Sequence, residues 1–242
     1  GSIRLPGGTF SLSAQGATTI KAGAIIDVSG LWTNHLTSSL STPIAVNGGK
    51  IELGGALNFE TGSVLDVSAG AWLSSTRKLK LGSAGSIVIT SRNIGLDLSR
   101  VALRGYGVAT GSEAVISAGG TLTLNLASIA IAPSGSATGT ATRLDPSFFS
   151  EGGFSSYALI ADQVAFADGM TLAPTPQTLV ADSSLYTHPS AAGLAQVASL
   201  RTFAAEPRPG TALTFKAAGD IVLPAGTILA PGIGGRVSLT GD

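Results

Sequence analysis

Two carboxylates occupy one position of a repeated motif: Asp27 in Gly23-Ala24-Ile25-Ile26-Asp27-Val28-Ser29-Gly30 and Asp66 in Gly62-Ser63-Val64-Leu65-Asp66-Val67-Ser68. If the copies stack, the pair enters the separation of about 5–10 Å used in glycoside hydrolysis. Alternation with Ile26, Val28, Leu65 and Val67 nevertheless sets both Asp residues in the outward parity beside a turn, where Asp caps backbone N–H groups. Capping is the expected role, and a polysaccharide lyase or hydrolase is the weakest of the functional expectations.

Other catalytic arrangements find less support. His35 and His188 are the only histidines and lie in separate irregular stretches, so they read as surface loop residues and not as metal ligands. Ser150, Ser155 and Ser156 have neither a nearby His nor a nucleophile-elbow context. The Gly-Gly pairs precede strand-like runs instead of helix starts, which removes a phosphate loop. No catalytic residue, metal or cofactor is expected.

Binding chemistry is better represented. Trp32 and Trp72 each follow a Val-Ser turn step at the root of an irregular stretch, where an aromatic either stacks on a sugar or plugs the loop against the body. The chain is neutral overall, but Arg77, Lys78, Lys80, Arg92, Arg100 and Arg104 face one acid, Asp97, within 77–104. From 105 to 209 the balance reverses to three bases against seven acids. A basic patch attracts anionic polysaccharide with a strength that salt reduces. Trp32, Trp72, Arg77, Lys78 and Lys80 are thus the candidate glycan-binding residues. Aromatics are not interleaved with the cluster, so nucleic acid is not an expected partner.

The elements that must carry these groups follow from two patterns. A glycine step followed by strict alternation recurs at Gly7-Gly8-Thr9-Phe10-Ser11-Leu12, Gly48-Gly49-Lys50-Ile51-Glu52-Leu53, Gly119-Gly120-Thr121-Leu122-Thr123-Leu124 and Gly234-Gly235-Arg236-Val237-Ser238-Leu239. Looser copies begin at Gly85 and Gly210. Period two with Thr, Ser, Lys, Glu and Arg on one side means strands with one buried and one wet face. The Asp-bearing turn motif is the second pattern, with weaker relatives at 128–134, 169–174 and 226–232.

Such strands are too short to make a core singly, and no amphipathic helices intervene. Stacking solves this, so the expected fold is all-β, a right-handed parallel β-helix forming one unit over 1–242. With about 20 residues per turn, nine or ten coils and a rod of about 45 Å are expected. Excursions are expected near 31–43, 71–82, 140–156 and 176–209. Leu194, Val197, Leu200 and Phe203 recur at threes and predict a short helix or 3₁₀ stretch within 190–206.

Composition agrees with a large buried fraction. Hydrophobic residues make up 44% and charged residues 12%, which excludes disorder. Cysteine is absent, so disulfides and thiolate metal sites are excluded. No apolar run reaches the roughly 18 residues needed to span a bilayer. The chain opens at Gly1-Ser2 and stops just after a strand-like run, so a piece of a longer chain is expected.

Gly62 to Ser68, the Gly-Gly-x-apolar-x-apolar steps and Phe148-Phe149-Ser150-Glu151-Gly152-Gly153-Phe154-Ser155-Ser156-Tyr157 together resemble the filamentous-haemagglutinin-like exoproteins of two-partner secretion. The resemblance spans nearly the whole chain. It implies a right-handed parallel β-helix secreted by a Gram-negative bacterium through a dedicated outer-membrane transporter and left extracellular or on the cell surface. Its implied role is a structural or adhesive shaft segment, in biofilm or host attachment. Cell-surface or matrix polysaccharide is the implied ligand class, and a carbohydrate-binding module is the alternative.

Overall fold

The computed structural model describes residues 1–37, 42, 44–111, 115–136, 139–191, 193–204, 206 and 208–241. It is all-β, with several parallel sheets and no closed barrel. The principal sheet holds seven strands in chain order: Thr9–Ile20, Lys50–Phe59, Ser86–Ser91, Thr121–Leu126, Ser156–Ala161, Ala212–Ala217 and Arg236–Thr240. All its neighbours are parallel.

Register explains why the alternating sequences end up here. Thr9, Lys50, Ser86, Thr121, Ser156, Ala212 and Arg236 are successive partners, so the next residues form one apolar column: Phe10, Ile51, Ile87, Leu122, Tyr157, Leu213 and Val237. A slip of one residue would turn each column to water, so burial of one face locks the pairing. Ile51, Ile87 and Leu122 have no exposed surface, and each such burial is worth about 1.5–3 kcal/mol before ordering costs.

Between visits to this sheet the chain runs through others. Ser2–Arg4, Ile25–Asp27, Ser63–Asp66 and Val101–Arg104 make a second parallel sheet, and Trp32–Asn34 pairs with Ala71–Leu73 in a third. Further along, Ser128–Ile131, Gln163–Phe166 and Ile221–Val222 line up in parallel, with Thr142–Leu144 added at the outer edge of Ser128–Ile131. Gly107–Thr110 pairs with Thr178–Ala181, and Thr171–Leu172 with Ile228–Leu229.

The glycine steps serve close backbone approach. Lys50 N–H donates to Gly8 O at 2.9 Å, Ser86 N–H to Gly49 O at 3.0 Å and Thr121 N–H to Gly85 O at 3.0 Å. A Cβ on Gly49 would lie 1.9 Å from Gly8 O, and one on Gly85 1.8 Å from Gly49 O. Side chains are therefore excluded at the entrance to these strands.

Several expectations change. The interval between partnered residues, such as Thr9 to Lys50 or Ser156 to Ala212, exceeds the expected 20 or so residues because the chain visits extra sheets and excursions. Three of the expected excursions contain paired strands that lack polar alternation. Trp32–Asn34 falls in 31–43, Ala71–Leu73 in 71–82 and Thr178–Ala181 in 176–209; residues 38–41 and 43 lie outside the described residues. The excursion at 140–156 holds Thr142–Leu144 and the 3₁₀ turn Pro146–Phe149. Within 190–206 the helical element is the 3₁₀ turn Leu194–Gln196, followed by Ser199–Arg201 antiparallel to Thr178–Ala181. Leu194 and Phe203 are buried and Leu200 is exposed, so the four apolar residues do not share one helical face.

Candidate functional site

Four of the five candidate glycan-binding residues come together on a hairpin. Ala71–Leu73 pairs antiparallel with Leu79–Leu81, and Trp72 is the direct partner of Lys80. Directly opposed residues of antiparallel strands share a face, so the indole and the lysine stem lie side by side. Ser74 closes the tip: its N–H donates to Lys78 O at 2.9 Å and its Oγ accepts Lys78 N–H at 2.9 Å. Arg77 N–H donates to Ser74 O at 3.0 Å, with Arg77 itself in the left-handed region at φ +59°.

Trp72 is half-buried and fixed from below. Its Nε1–H donates to His35 Nδ1 at 3.0 Å, and the two rings meet edge-on at 6.2 Å. His35 is buried, contrary to the surface position expected of it, because the ring is needed as the acceptor for the indole. His188 is exposed. Its carbonyl accepts from Trp32 Nε1–H at 3.4 Å and Asn34 Nδ2–H at 2.8 Å.

Trp32 takes the plugging role. It is wholly buried in a second apolar cluster with Leu73, Leu185 and Leu194, and so offers no ring face to a sugar. The segment around 183–191 covers it like a strap. Asn34 N–H donates to Ser190 Oγ at 2.9 Å, and Ala191 N–H to Trp32 O at 2.9 Å.

Charge is distributed in a way composition alone conceals. Arg92 pairs with Asp162, Arg100 with Asp97, and Arg104 reaches Asp66 at 4.0 Å. Arg77, Lys78 and Lys80 are exposed and form no ion pair among the described residues. Of the six bases in 77–104, the three without an acidic partner are those of the hairpin. The hairpin thus carries three cations without an acidic partner among the described residues, with Lys80 directly opposite the anchored ring of Trp72.

No family model, curated protein or solved structure matches this chain.

Asp27 and Asp66 do cap turns. Asp27 Oδ1 accepts from Ser29 N–H at 3.0 Å and Asp66 Oδ1 from Ser68 N–H at 2.9 Å. Both carboxylates are largely buried, although parity placed them outward, because each folds onto its own turn and is flanked in register, Asp27 by Arg4 and Asp66 by Arg104. The same Asp-x-Ser cap recurs at Asp97-Ser99, Asp145-Ser147 and Asp182-Ser184, each opening a 3₁₀ turn. Sequence reasoning missed these three, and the recurring Asp-x-Ser spacing was the signal that would have found them. Among the described residues no group of three or more His, Asp or Glu is placed to hold a metal. Among the described residues no helix is long and apolar enough to cross a membrane.

A concavity of about 770 Å³ lies between 95–104 on one side and 139–152 on the other. Arg104, Tyr106, Arg143, Phe148, Glu151 and Gln177 are among its lining residues. Arg104 stood out in sequence only as part of the basic cluster, and Phe148 and Glu151 only within the Phe148 to Tyr157 motif; their meeting was not expected, because the stretches are far apart in the chain.

Proposed function

We propose that this chain is a structural and adhesive shaft segment of a secreted or cell-surface bacterial exoprotein, built as a right-handed parallel β-helix. The observation that carries the reading is the sheet of seven parallel strands, paired in chain order, to which the chain returns after each passage through other sheets. A chain returning to the same sheet in parallel, each time beside its previous strand, forms a coil, and parallel crossovers favour the right-handed path. Seven such layers make a shaft of about 30 Å, shorter than the 45 Å expected from nine or ten coils. The architecture suits load-bearing, since each layer of the principal sheet pairs its backbone with the next.

The resemblance of the Gly-Ser-Val-Leu-Asp-Val-Ser and Gly-Gly steps to filamentous-haemagglutinin-like exoproteins supports export through a two-partner outer-membrane transporter. Deleting 1–242 from the full-length protein, with secretion of the remainder verified, should lower attachment of the cells or retention of their matrix. Unchanged attachment would overturn the adhesive reading.

The alternative, a carbohydrate-binding module, is favoured by one observation: Trp72 beside Lys80 with Arg77 and Lys78 at the same tip. In this reading the hairpin grips anionic cell-surface or matrix polysaccharide, with the charge contacts supplying the attraction and the ring a stacking surface. Co-sedimentation of the chain with an acidic extracellular polysaccharide tests it. Polysaccharide cleavage is the least supported reading, because Asp27 and Asp66 are already engaged by Ser29, Ser68 and Arg4.

A further inference from the structure

The cleft between 95–104 and 139–152 serves neither the stacking of the sheets nor the hairpin. Its volume of about 770 Å³ lies within the roughly 300–1,000 Å³ of small-ligand sites. It opens because two strands meet there without pairing. Val101–Arg104 is the last strand of its sheet and Thr142–Leu144 the outermost of another, and both line the cleft.

Three kinds of group face a prospective ligand. Phe148 is half-buried, with its ring held edge-on to Phe149 at 5.6 Å and tilted on Tyr157 at 6.3 Å, so its remaining surface is already ordered. Arg104 and Arg143 bring guanidinium groups. Arg143 is exposed without an ion pair among the described residues, and Arg104 touches Asp66 only at the 4.0 Å limit. Gln177 adds an amide to the same lining.

The carboxylates nearby are mostly engaged. Asp97 accepts from Ser99 and pairs with Arg100, and Asp145 accepts from Ser134 and Ser147. Glu151 makes no side-chain hydrogen bond or ion pair with a described residue. The unpaired guanidinium of Arg143, with Arg104 held only loosely by Asp66, outweighs the one unengaged carboxylate and favours an anion; a guanidinium fork fits a carboxylate in bidentate fashion, and an ordered ring beside an amide fits the face and hydroxyls of a sugar.

We propose that this cleft binds a saccharide bearing a uronic-acid carboxylate, with Arg143 and Arg104 on the carboxylate and Phe148 against the sugar ring. Neither Asp97 nor Asp145 is suited to act as a glycosidic acid. A glycosidic acid needs a carboxyl raised toward neutrality, whereas the bonds from Ser99 hold Asp97, and those from Ser147 and Ser134 hold Asp145, below the ordinary carboxylate range.

Digalacturonate titrated into the isotope-labelled chain should shift amide resonances in 95–104 and 141–152 in a saturable way. Neutral digalactose should bind at least about tenfold more weakly, and Arg143→Gln should lose about tenfold in affinity without a change in melting temperature. Phe148→Leu should weaken both sugars together. The double change Lys78→Glu, Lys80→Glu leaves these shifts intact, which separates this site from the hairpin. The assignment is overturned if shifts are absent or confined to 72–80, if digalactose or galactose 6-phosphate binds as well as digalacturonate, or if Arg143→Gln binds normally.

Discussion

Asp27 and Asp66 are register partners in adjacent parallel strands, two carboxylates stacked between Arg4 on one side and Arg104 on the other. Arg4 closes on Asp27 at 3.0 Å, whereas Arg104 stays 4.0 Å from Asp66. Asp66 caps Ser68 in the same way that Asp97, Asp145 and Asp182 cap their own serines, yet its acidity moves the other way. Burial raises its pKa, and the neighbouring Asp27 charge adds to that, while the three more exposed caps are lowered by their serine bonds.

The sign of the pH dependence follows from this contrast. With its folded pKa raised, Asp66 binds a proton in the folded state that the unfolded chain has released, so its contribution is full below the unfolded value and lost as pH rises through the folded one. The more exposed caps do the opposite and lose their contribution as pH falls through their lowered values. Asp66→Asn keeps an acceptor for Ser68 while removing the buried charge. It should raise the melting temperature at neutral pH by about 2–4 °C, for a gain on the order of 1 kcal/mol. The gain should shrink as pH falls toward the range where Asp66 is protonated; thermal melts at neutral and mildly acid pH check both parts. A lower melting temperature at neutral pH would mean that the Arg104 contact outweighs the cost of burial.

Gly85→Ala tests the backbone approach that the glycine steps permit. A methyl group there would sit 1.8 Å from Gly49 O, with Gly48 C and Gly49 C at 2.8 Å. Backbone cannot swing aside as a side chain can, so the layers must part. A loss of more than about 3 kcal/mol is expected by chemical denaturation. The control is Gly16→Ala, where nothing lies within 4 Å of the added atom, and it should stay within about 0.5 kcal/mol of the parent.

The principal sheet was largely legible from sequence because its strands alternate short polar residues with Ile, Leu, Val or Phe behind a glycine step. Ser156–Ala161 escaped because two extra residues, Phe154 and Ser155, separate it from Gly152-Gly153. Gly107–Thr110 and Thr178–Ala181 escaped for a different reason. Both are buried almost throughout, so the polar half of the alternation that reveals a strand is missing. The strap over Trp32 joins residues about 155 positions apart, and no local pattern encodes such a contact. At the candidate site, residue types were informative for the hairpin, while the burial of Trp32 and His35 depended on that distant segment.

Asn34 is the pin of the strap. Its side-chain amide donates to Tyr186 O at 3.2 Å and to His188 O at 2.8 Å, and its Oδ1 accepts Leu36 N–H at 3.0 Å. Asn34→Ala removes three bonds, takes the side-chain donor from Tyr186 O and leaves His188 O with only the longer bond from Trp32 Nε1–H at 3.4 Å. A loss of about 1–3 kcal/mol is expected, borne mainly by 183–191, the segment whose carbonyls lose the Asn34 amide. Limited proteolysis should cut the variant within 183–191 faster than the parent, with cleavage elsewhere unchanged. Equal cleavage rates would assign the strap to its apolar contacts through Leu185 and Leu194.

Inward ladders predict a larger and less local effect. Leu122 lies between Ile87 and Tyr157 in the column and has no exposed surface. Leu122→Asp would bury a carboxylate with no partner on either side, a change in the class that costs more than about 4 kcal/mol. Hydrogen exchange should report the consequence layer by layer, with protection falling in Ser86–Ser91 and Ser156–Ala161 together. Wild-type melting behaviour would mean that this side chain does not point into the core.

The hairpin supplies the test that separates a charged grip from an inert shaft. Arg77, Lys78 and Lys80 lack acidic partners among the described residues, so reversing Lys78 and Lys80 to Glu breaks no ion pair and should leave the melting temperature within about 2 °C. Co-sedimentation with an acidic polysaccharide should nonetheless fall steeply, because two attractive contacts become repulsive ones. Exposed charges at this spacing act through solvent, so the parent's binding should itself weaken between about 0.05 and 0.5 M salt as the screening length shortens. Trp72→Ala acts on a different term. It removes the stacking surface and the donor to His35 while the cations remain, so the salt dependence should persist on a weaker baseline. Binding that ignores salt, or that survives the double reversal, would remove the hairpin from any adhesive role.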